Sequence, residues 1–393
     1  MASRILKPGI YFTGVQDWDR RLFDEIIPLP DGTSYNSYIV QGSEKTALID
    51  TADPDKKSDF LNNISRTNLE IDYIVSHHAE QDHSGLIPQV LEIYPDSKVL
   101  TSPKCKEFLK DLLLIEDEKF VTVKDGETVS LGDKTLRFIY TPWVHWPETI
   151  VTYLVEDKIL FSCDFFGSHL ATSDIFVRDE HMTYRAAKRY YAEIMMPFRM
   201  FIKKNMEKIS ALDIDMVAPS HGPVYNNPET IFEAYRNWIS NRTKNQVIIP
   251  YVSMHGSTKE MVDYLVDLLI QNGITVKPFN LTVSDTGELA LSLVDASTLV
   301  LATPTVLTGP HPRAVYAAYL VNALRPKLKF VSIIGSFGWG GRTVELLKGV
   351  FTNIKAELLD PVIIKGFPKD DDFRRVDELA KEIIKKHKEH ELI

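Results

Sequence analysis

Ser76-His77-His78-Ala79-Glu80-Gln81-Asp82-His83-Ser84-Gly85 follows the apolar run Tyr73-Ile74-Val75 and precedes a helical one. Within six of these residues stand four potential metal ligands: His78, Glu80, Asp82 and His83. A compact loop at the C-terminal end of a strand can turn His78 and Glu80 to one side and Asp82 and His83 to another. One loop can then serve two metal ions. More donors follow other strand-like runs: His145 in Pro142-Trp143-Val144-His145-Trp146-Pro147, and His221 in Pro219-Ser220-His221-Gly222-Pro223. Asp164 follows Ile159–Cys163, where a carboxylate could bridge both ions. Any one of these residues alone reads as a cap or a surface polar group. Seven at strand-to-loop transitions of one domain are hard to assign to capping. His77, His169 and Phe23 read as groups that hold a ligand's orientation or line the substrate space.

Outward from this loop, residues 10 to about 240 alternate short β-branched runs with helical ones and Gly/Asp turns. A first group of strands is interleaved with helices near 54–65, 84–93 and 103–114; a second, around 120–163, reads as a meander. Strand-rich halves with outer helices predict a four-layer αββα sandwich. Helical patterns follow over 181–209 and 228–240, and the polar run Asn241-Arg242-Thr243-Lys244-Asn245 reads as a linker. The predicted domains are therefore 1–244 and 245–393. Beyond the linker, β-like runs at 247–252, 275–279, 299–302 and 330–334 alternate with helix-length segments, and the tail from 371 is helical and charged. This predicts an α/β, doubly wound parallel sheet of strand order 2-1-3-4-5.

At 393 residues, two domains are the natural division. A formal charge of −9 gives no general attraction to nucleic acid or anionic lipid. The first eight residues lack the apolar core of a signal peptide, and the apolar stretch near 289–307 is interrupted by Asp295 and Pro304. A cytoplasmic location without membrane attachment is expected. Two cysteines, Cys105 and Cys163, supply neither a disulfide framework nor thiolates for rubredoxin-type iron or an Fe–S cluster. Any iron must sit on nitrogen and oxygen.

The second domain carries its own signal. Ser253-Met254-His255-Gly256-Ser257-Thr258 follows a strand and opens a helix, so backbone N–H groups and hydroxyls can receive a flavin phosphate, although simple capping would use the same residues. Two more loops at strand ends strengthen the reading: Thr303-Pro304-Thr305-Val306-Leu307-Thr308-Gly309 and Gly335-Ser336-Phe337-Gly338-Trp339-Gly340-Gly341. The candidate contacts are Ser253, Met254, His255, Gly256, Ser257 and Thr258, then Pro304, Thr305, Leu307 and Gly309, and finally Ser336, Phe337, Gly338, Trp339 and Gly340. Trp339 could stack on an isoalloxazine ring or simply pack. No Gly-x-Gly-x-x-Gly pattern points to a dinucleotide.

The first constellation resembles the metallo-β-lactamase fold, whose hydrolases carry His-x-His-x-Asp-His. Here the run is His78-x-Glu80-x-Asp82-His83, with a carboxylate in the second place. Zinc hydrolases favour neutral imidazoles; more carboxylate better offsets two irons cycling between Fe(II) and Fe(III). With the flavodoxin-like second half, the whole chain is similar to flavodiiron proteins, or A-type flavoproteins. The resemblance implies FMN and two non-haem irons: His78, Glu80 and His145 on one, Asp82, His83 and His221 on the other, and Asp164 between them. The implied activity is reduction of O2 to water, of NO to N2O, or both. A reduced flavin and a diferrous pair together hold the four electrons that O2 needs.

With domain radii of gyration of about 18 and 15 Å, the cofactors of one chain would sit roughly 30 Å apart. A head-to-tail homodimer, or a dimer of such dimers, is therefore expected. The expected donor is external, a rubredoxin or a reduced deazaflavin. Alternatives are an F420H2 oxidase of the same family, a zinc hydrolase fused to a flavodoxin, and a non-catalytic electron carrier.

Overall fold

Ile150–Leu154 and Ile159–Cys163 are buried at every position, which requires a sheet covered on both faces. The computed structural model, which describes residues 4–393, shows how. A seven-stranded sheet runs in the order Arg4–Lys7, Ile10–Phe12, Tyr38–Gln41, Thr46–Ile49, Tyr73–Val75, Lys98–Thr101, Phe120–Thr122. A five-stranded sheet runs Thr128–Ser130, Thr135–Tyr140, Ile150–Leu154, Ile159–Cys163, Met216–Pro219. Tyr38, Val40 and Ile49 meet Phe138, Ile150 and Phe161 between the sheets. The alternate residues Ile39, Leu48 and Ile74 face outward onto Phe60, Val90 and Leu109 of the helices Lys57–Ser65, Ile87–Ile93 and Pro103–Leu113. At the second sheet, Arg199–Ile209 is tied down by Asn205 Nδ2 donating to the Pro142 carbonyl and Lys208 Nζ to that of Tyr140. This is the αββα sandwich.

The helix expected over 181–209 is not continuous. Glu180–Tyr190 gives way to a π turn at Tyr191–Met195 and a 3₁₀ turn at Met196–Phe198 before Arg199–Ile209 resumes. Pro197 has no N–H for the α-helical ladder, which accounts for the interruption. The chain divides into two compact units, one extending through Tyr191 and including Phe198–Ile239, the other comprising Ala192–Pro197 and Ser240–Ile393.

In the second unit the sheet order is Thr275–Asn280, Lys244–Tyr251, Ala296–Val306, Phe330–Phe337, with Glu357–Leu358 and Val362–Lys365 sharing the last place, all parallel. That is the 2-1-3-4-5 order. Met261, Leu265 and Leu269 of Ser257–Gln271 and Val376 and Ile383 of Asp370–Glu389 cover one face.

Three sequence expectations change here, one of them at residues 335–337, read as loop but the end of the fourth strand. Lys244 and Asn245, read as linker, already belong to the first strand, where Asn245 Nδ2 donates to the Gly273 carbonyl. Residues 303–306, read as loop, continue the third strand into a hairpin with Gly309–Pro310. Its turn residues Leu307 and Thr308 have φ of +51° and +65°, the geometry of a type I′ turn. Leu-Thr carries none of the Asn-Gly chemistry by which such a turn is recognised in sequence. Among the described residues no helix is long and apolar enough to cross a membrane.

Candidate metal centre

Three parallel strand ends and one loop from the antiparallel part of the second sheet deliver the donors. Tyr73–Val75 leads into His78 and Glu80 and on to the short helix Gln81–Ser84, which carries Asp82 and His83. Ile159–Cys163 leads into Asp164, Met216–Pro219 leads to His221, and His145 lies between Thr135–Tyr140 and Ile150–Leu154. The seven side chains converge in two sets. Around Asp164 Oδ2 lie His78 Nε2 at 3.0 Å and His145 Nε2 at 3.2 Å, with Glu80 Oε2 2.9 Å from His145 and 3.3 Å from His78. Around Asp164 Oδ1 lie His83 Nε2 at 3.1 Å and His221 Nε2 at 3.5 Å, with Asp82 Oδ2 3.1 and 3.2 Å from them. One carboxylate thus gives an oxygen to each set.

Three carboxylates and four imidazoles share this buried volume. Burial alone would push the Asp164 carboxyl up, but His83 and His78 beside it hold it well below the usual carboxylate range. Burial would lower His145, and Asp164 and Glu80 instead raise it to about 9. Yet hydrogen bonding leaves atoms over. Both carboxylate oxygens of Asp82 and Oδ1 of Asp164 are buried without a hydrogen-bond partner, and His83 Nε2 faces His221 Nε2 at 3.1 Å. Donor atoms that crowd together with hydrogen bonds left unmade are arranged for cations.

The surroundings separate the remaining histidines. His77 turns away: its Nδ1 is 2.6 Å from Asp50 Oδ2 and its Nε2 2.9 Å from Thr152 Oγ1. His169 stays at the centre, its ring 4.8 Å from that of His221 and 5.0 Å from Phe23, with Nδ1 2.9 Å from Thr33 Oγ1. Its Nε2 is buried and unpartnered. Burial, reinforced by His221, holds His169 well below the usual histidine range, so the ring is neutral. Glu80 and Asp82 line a cleft of about 550 Å³ with Arg20, Phe23, Asp24 and Trp146.

In the second unit, a pocket of about 220 Å³ lies at the C-terminal ends of the strands, lined by Ser253, Met254, His255, Ser257, Thr258, Pro304, Thr305, Ser336, Phe337 and Gly338. Gly366, just past Val362–Lys365, completes it and was not anticipated, although a glycine after the fifth strand is the signal to seek. Thr258 Oγ1 and Ser336 Oγ are 3.1 Å apart. The helix Ser257–Gln271 begins after Gly256, at φ +90°, which has no side chain to cap it; the Lys259 N–H donates to Ser253 Oγ at 3.3 Å, and those of Ser257 and Thr258 are left for an anion. Five other candidates do not line the pocket: Gly256, Gly309, Gly340, Leu307 (86% exposed) and Trp339 (75% exposed).

The family model described as ODP family beta lactamase matches residues 33–222. A relative named nitric oxide reductase, from Moorella thermoacetica, is 34% identical over 95% of this chain and 96% of its own. One named coenzyme F420H(2) oxidase, from Methanothermobacter marburgensis, is 32% identical over 88% and 90%. The rubredoxin oxygen:oxidoreductase of Desulfovibrio gigas superposes with a TM-score of 0.94 at 29% identity, covering 98% of both chains. The flavodiiron protein of Giardia intestinalis does so with 0.88 at 27%, covering 98% and 96%. This chain is a flavodiiron protein.

Several residues of this flavodiiron protein that bear on the centre were not legible beforehand. Asp50 follows Thr46–Ile49 in the same strand-end setting as Asp164, so its position was a usable signal. The Ser34 carbonyl, 2.6 Å from His221 Nδ1, and the Cys163 thiol, 3.3 Å from His78 Nδ1, had none. Glu148 is buried and accepts from the backbone N–H of Ala79, between two donor residues.

Proposed function

We propose that this flavodiiron protein passes electrons from an external donor through FMN to a pair of irons and there reduces O2 to water or NO to N2O. The observation that carries the reading is the division of Asp164, one oxygen to the His78–Glu80–His145 set and the other to the Asp82–His83–His221 set. Residues 1–244 would hold the irons and 245–393 the flavin, in a protein acting in the cytoplasm. Two irons supply open positions for a diatomic and four-electron capacity together with the flavin. The orphaned oxygens of Asp82 and Asp164 fit cations, and a donor set rich in carboxylate suits iron over zinc.

The protein's own groups do the rest. His169 is neutral, and Thr33 fixes its ring, so its unpartnered Nε2 can exchange a hydrogen bond with a small oxygen-bearing ligand beside His221. Phe23 and Trp146 narrow the cleft against bulk water, while at its wall Asp24, raised by burial to about 6, offers a carboxyl for proton traffic and Arg20 a fixed positive charge. At the flavin pocket, the helix start with Ser253, Ser257 and Thr258 would hold the phosphate, and Trp339, already exposed, would meet the ring system.

A head-to-tail homodimer belongs to this reading. In the first unit Trp143, Met200 and Phe201 are exposed, and the Phe198 ring links Trp143 to His145. In the second, Leu307, Trp339 and Phe367 are exposed near the flavin pocket. Such aromatic patches mark association surfaces.

The test combines metal analysis with separate O2 and NO consumption traces under anaerobic reduction, once with reduced rubredoxin and once with reduced deazaflavin. Two irons per chain, flavin and uptake of either gas are expected. Zinc alone, or iron without gas uptake, overturns the reading. Turnover only with deazaflavin assigns the oxidase variant that the F420H(2) oxidase relatives favour.

A further inference from the structure

We propose that the Cys163 thiol tunes one of the two irons, the one on the His78 side, and makes it the first to accept an electron. The inference rests on the diiron reading above and deepens it.

Apart from the shared Asp164, the two donor sets are alike in kind. Each has one carboxylate and two imidazoles, Glu80 with His78 and His145 against Asp82 with His83 and His221. One electronic difference between the irons then comes from what stands behind the imidazoles. An imidazole that gives Nε2 to a metal keeps its proton on Nδ1, so the partner of Nδ1 accepts a hydrogen bond.

For His221 that partner is the Ser34 carbonyl at 2.6 Å, a strong acceptor. For His78 it is the sulfur of Cys163 at 3.3 Å, a weak one. His83 Nδ1 is buried with no partner. A strong acceptor draws the Nδ1 proton away, leaves more electron density on the ring and favours Fe(III). Among the described residues, the close backbone carbonyl behind an imidazole Nδ1 belongs to the Asp82–His83–His221 set, at His221. The set backed by sulfur favours Fe(II).

The geometry leaves little freedom for this contact. Cys163 and Asp164 are consecutive, and they take opposite nitrogens of one ring: Sγ at Nδ1, and Oδ2 at Nε2, 3.0 Å away. Cys163 is buried, and its own backbone sits at φ +55°, with its carbonyl held by Ser220 N at 2.8 Å. One stretch of backbone thus carries both groups that bracket the His78 ring.

The test uses the full-length, iron-loaded protein with Cys163→Ser and Cys163→Ala. Both side chains are small enough to accept the left-handed backbone. Iron and flavin content are measured first, and anaerobic redox titrations followed by electron paramagnetic resonance then give the potential of the first one-electron reduction of the iron pair. A serine hydroxyl is the stronger acceptor, so Cys163→Ser lowers that potential. Cys163→Ala, with no acceptor, holds it at the wild-type value or raises it.

Unmoved potentials at full iron content, or a shift of both variants in the same downward direction, overturn the inference while the diiron reading stands. Wild-type protein that holds no iron pair overturns both.

Discussion

Asp50 grips His77 twice: Oδ2 lies 2.6 Å from Nδ1 of the ring, and Oδ1 accepts from the His77 backbone N–H at 2.9 Å. With Thr152 Oγ1 on the far nitrogen, the ring has no capacity left for a metal or substrate. Its work is to fix the start of the loop whose next residues are His78 and Glu80. Burial would raise the Asp50 carboxyl, yet His77 beside it holds it below its ordinary value.

Asp50→Ala leaves His77 buried without its partner, and losing a hydrogen bond to a charged group costs about 1.5–3 kcal/mol. Denaturant unfolding should show that loss, and iron content should fall with it. Asp50→Asn keeps the shape and should lose less. Full stability and full iron in Asp50→Ala would contradict the clamp.

Asp164→Asn tests the shared carboxylate with almost no change of volume. An amide gives one oxygen and a nitrogen that cannot accept a cation, so one of the two sets loses its bridge. Iron below two per chain and a drop of at least about 100-fold in gas consumption are expected, given that outer partners alone cost 10–100-fold. Flavin content should be unchanged.

The donors were legible in sequence because each stands where a strand ends, and strand ends are marked by a switch from apolar runs to turn residues. Tyr73–Val75 before His78 and Ile159–Cys163 before Asp164 are of this kind. The partners behind them were not. Ser34 acts through its carbonyl, which every residue possesses, and Cys163 matters only because the fold brings it to a residue 85 positions away. Likewise the parallel order of the sheet in the second unit followed from the βα alternation. The Leu307-Thr308 turn did not, since tertiary pairing overrode residue preference.

That turn is itself testable. Thr308, β-branched at φ +65°, carries a strain of roughly 1–2 kcal/mol relative to glycine. Thr308→Gly relieves it and gives back part through chain entropy. A net gain of up to about 1 kcal/mol in unfolding of the full chain is expected; a loss would mean that the threonine side chain holds the hairpin.

Thr258→Val addresses the flavin phosphate. The Thr258 hydroxyl lies in the pocket beside Ser336, and a hydrogen bond to a charged group is worth about 1.5–3 kcal/mol. FMN titration of the deflavinated protein should show affinity weakened by roughly 10- to 100-fold. Iron content serves as the control and should not move.

His387 gives the second unit a pH dependence of known sign. It lies in the C-terminal helix, with Nε2 2.7 Å from Thr298 Oγ1 and 3.3 Å from Ser297 Oγ, and Nδ1 2.7 Å from Asn245 Oδ1. The Phe330 ring packs on it and in turn on His390. Burial first, and then His390, push it down to about 4. The unfolded chain has the ordinary histidine value near 6.5. Between those values the unfolded state binds up to about one more proton than the folded one at this residue, so its contribution is fully present above pH 6.5 and is lost as pH falls toward 4. Unfolding of the full chain, followed by flavin release at pH 7, 5.5 and 4.5, should show stability declining along this series. His387→Gln keeps a donor and an acceptor but cannot titrate, so its decline should be shallower by up to about one proton. Identical slopes would mean that the neutral imidazole is not what joins the helix to the first and third strands.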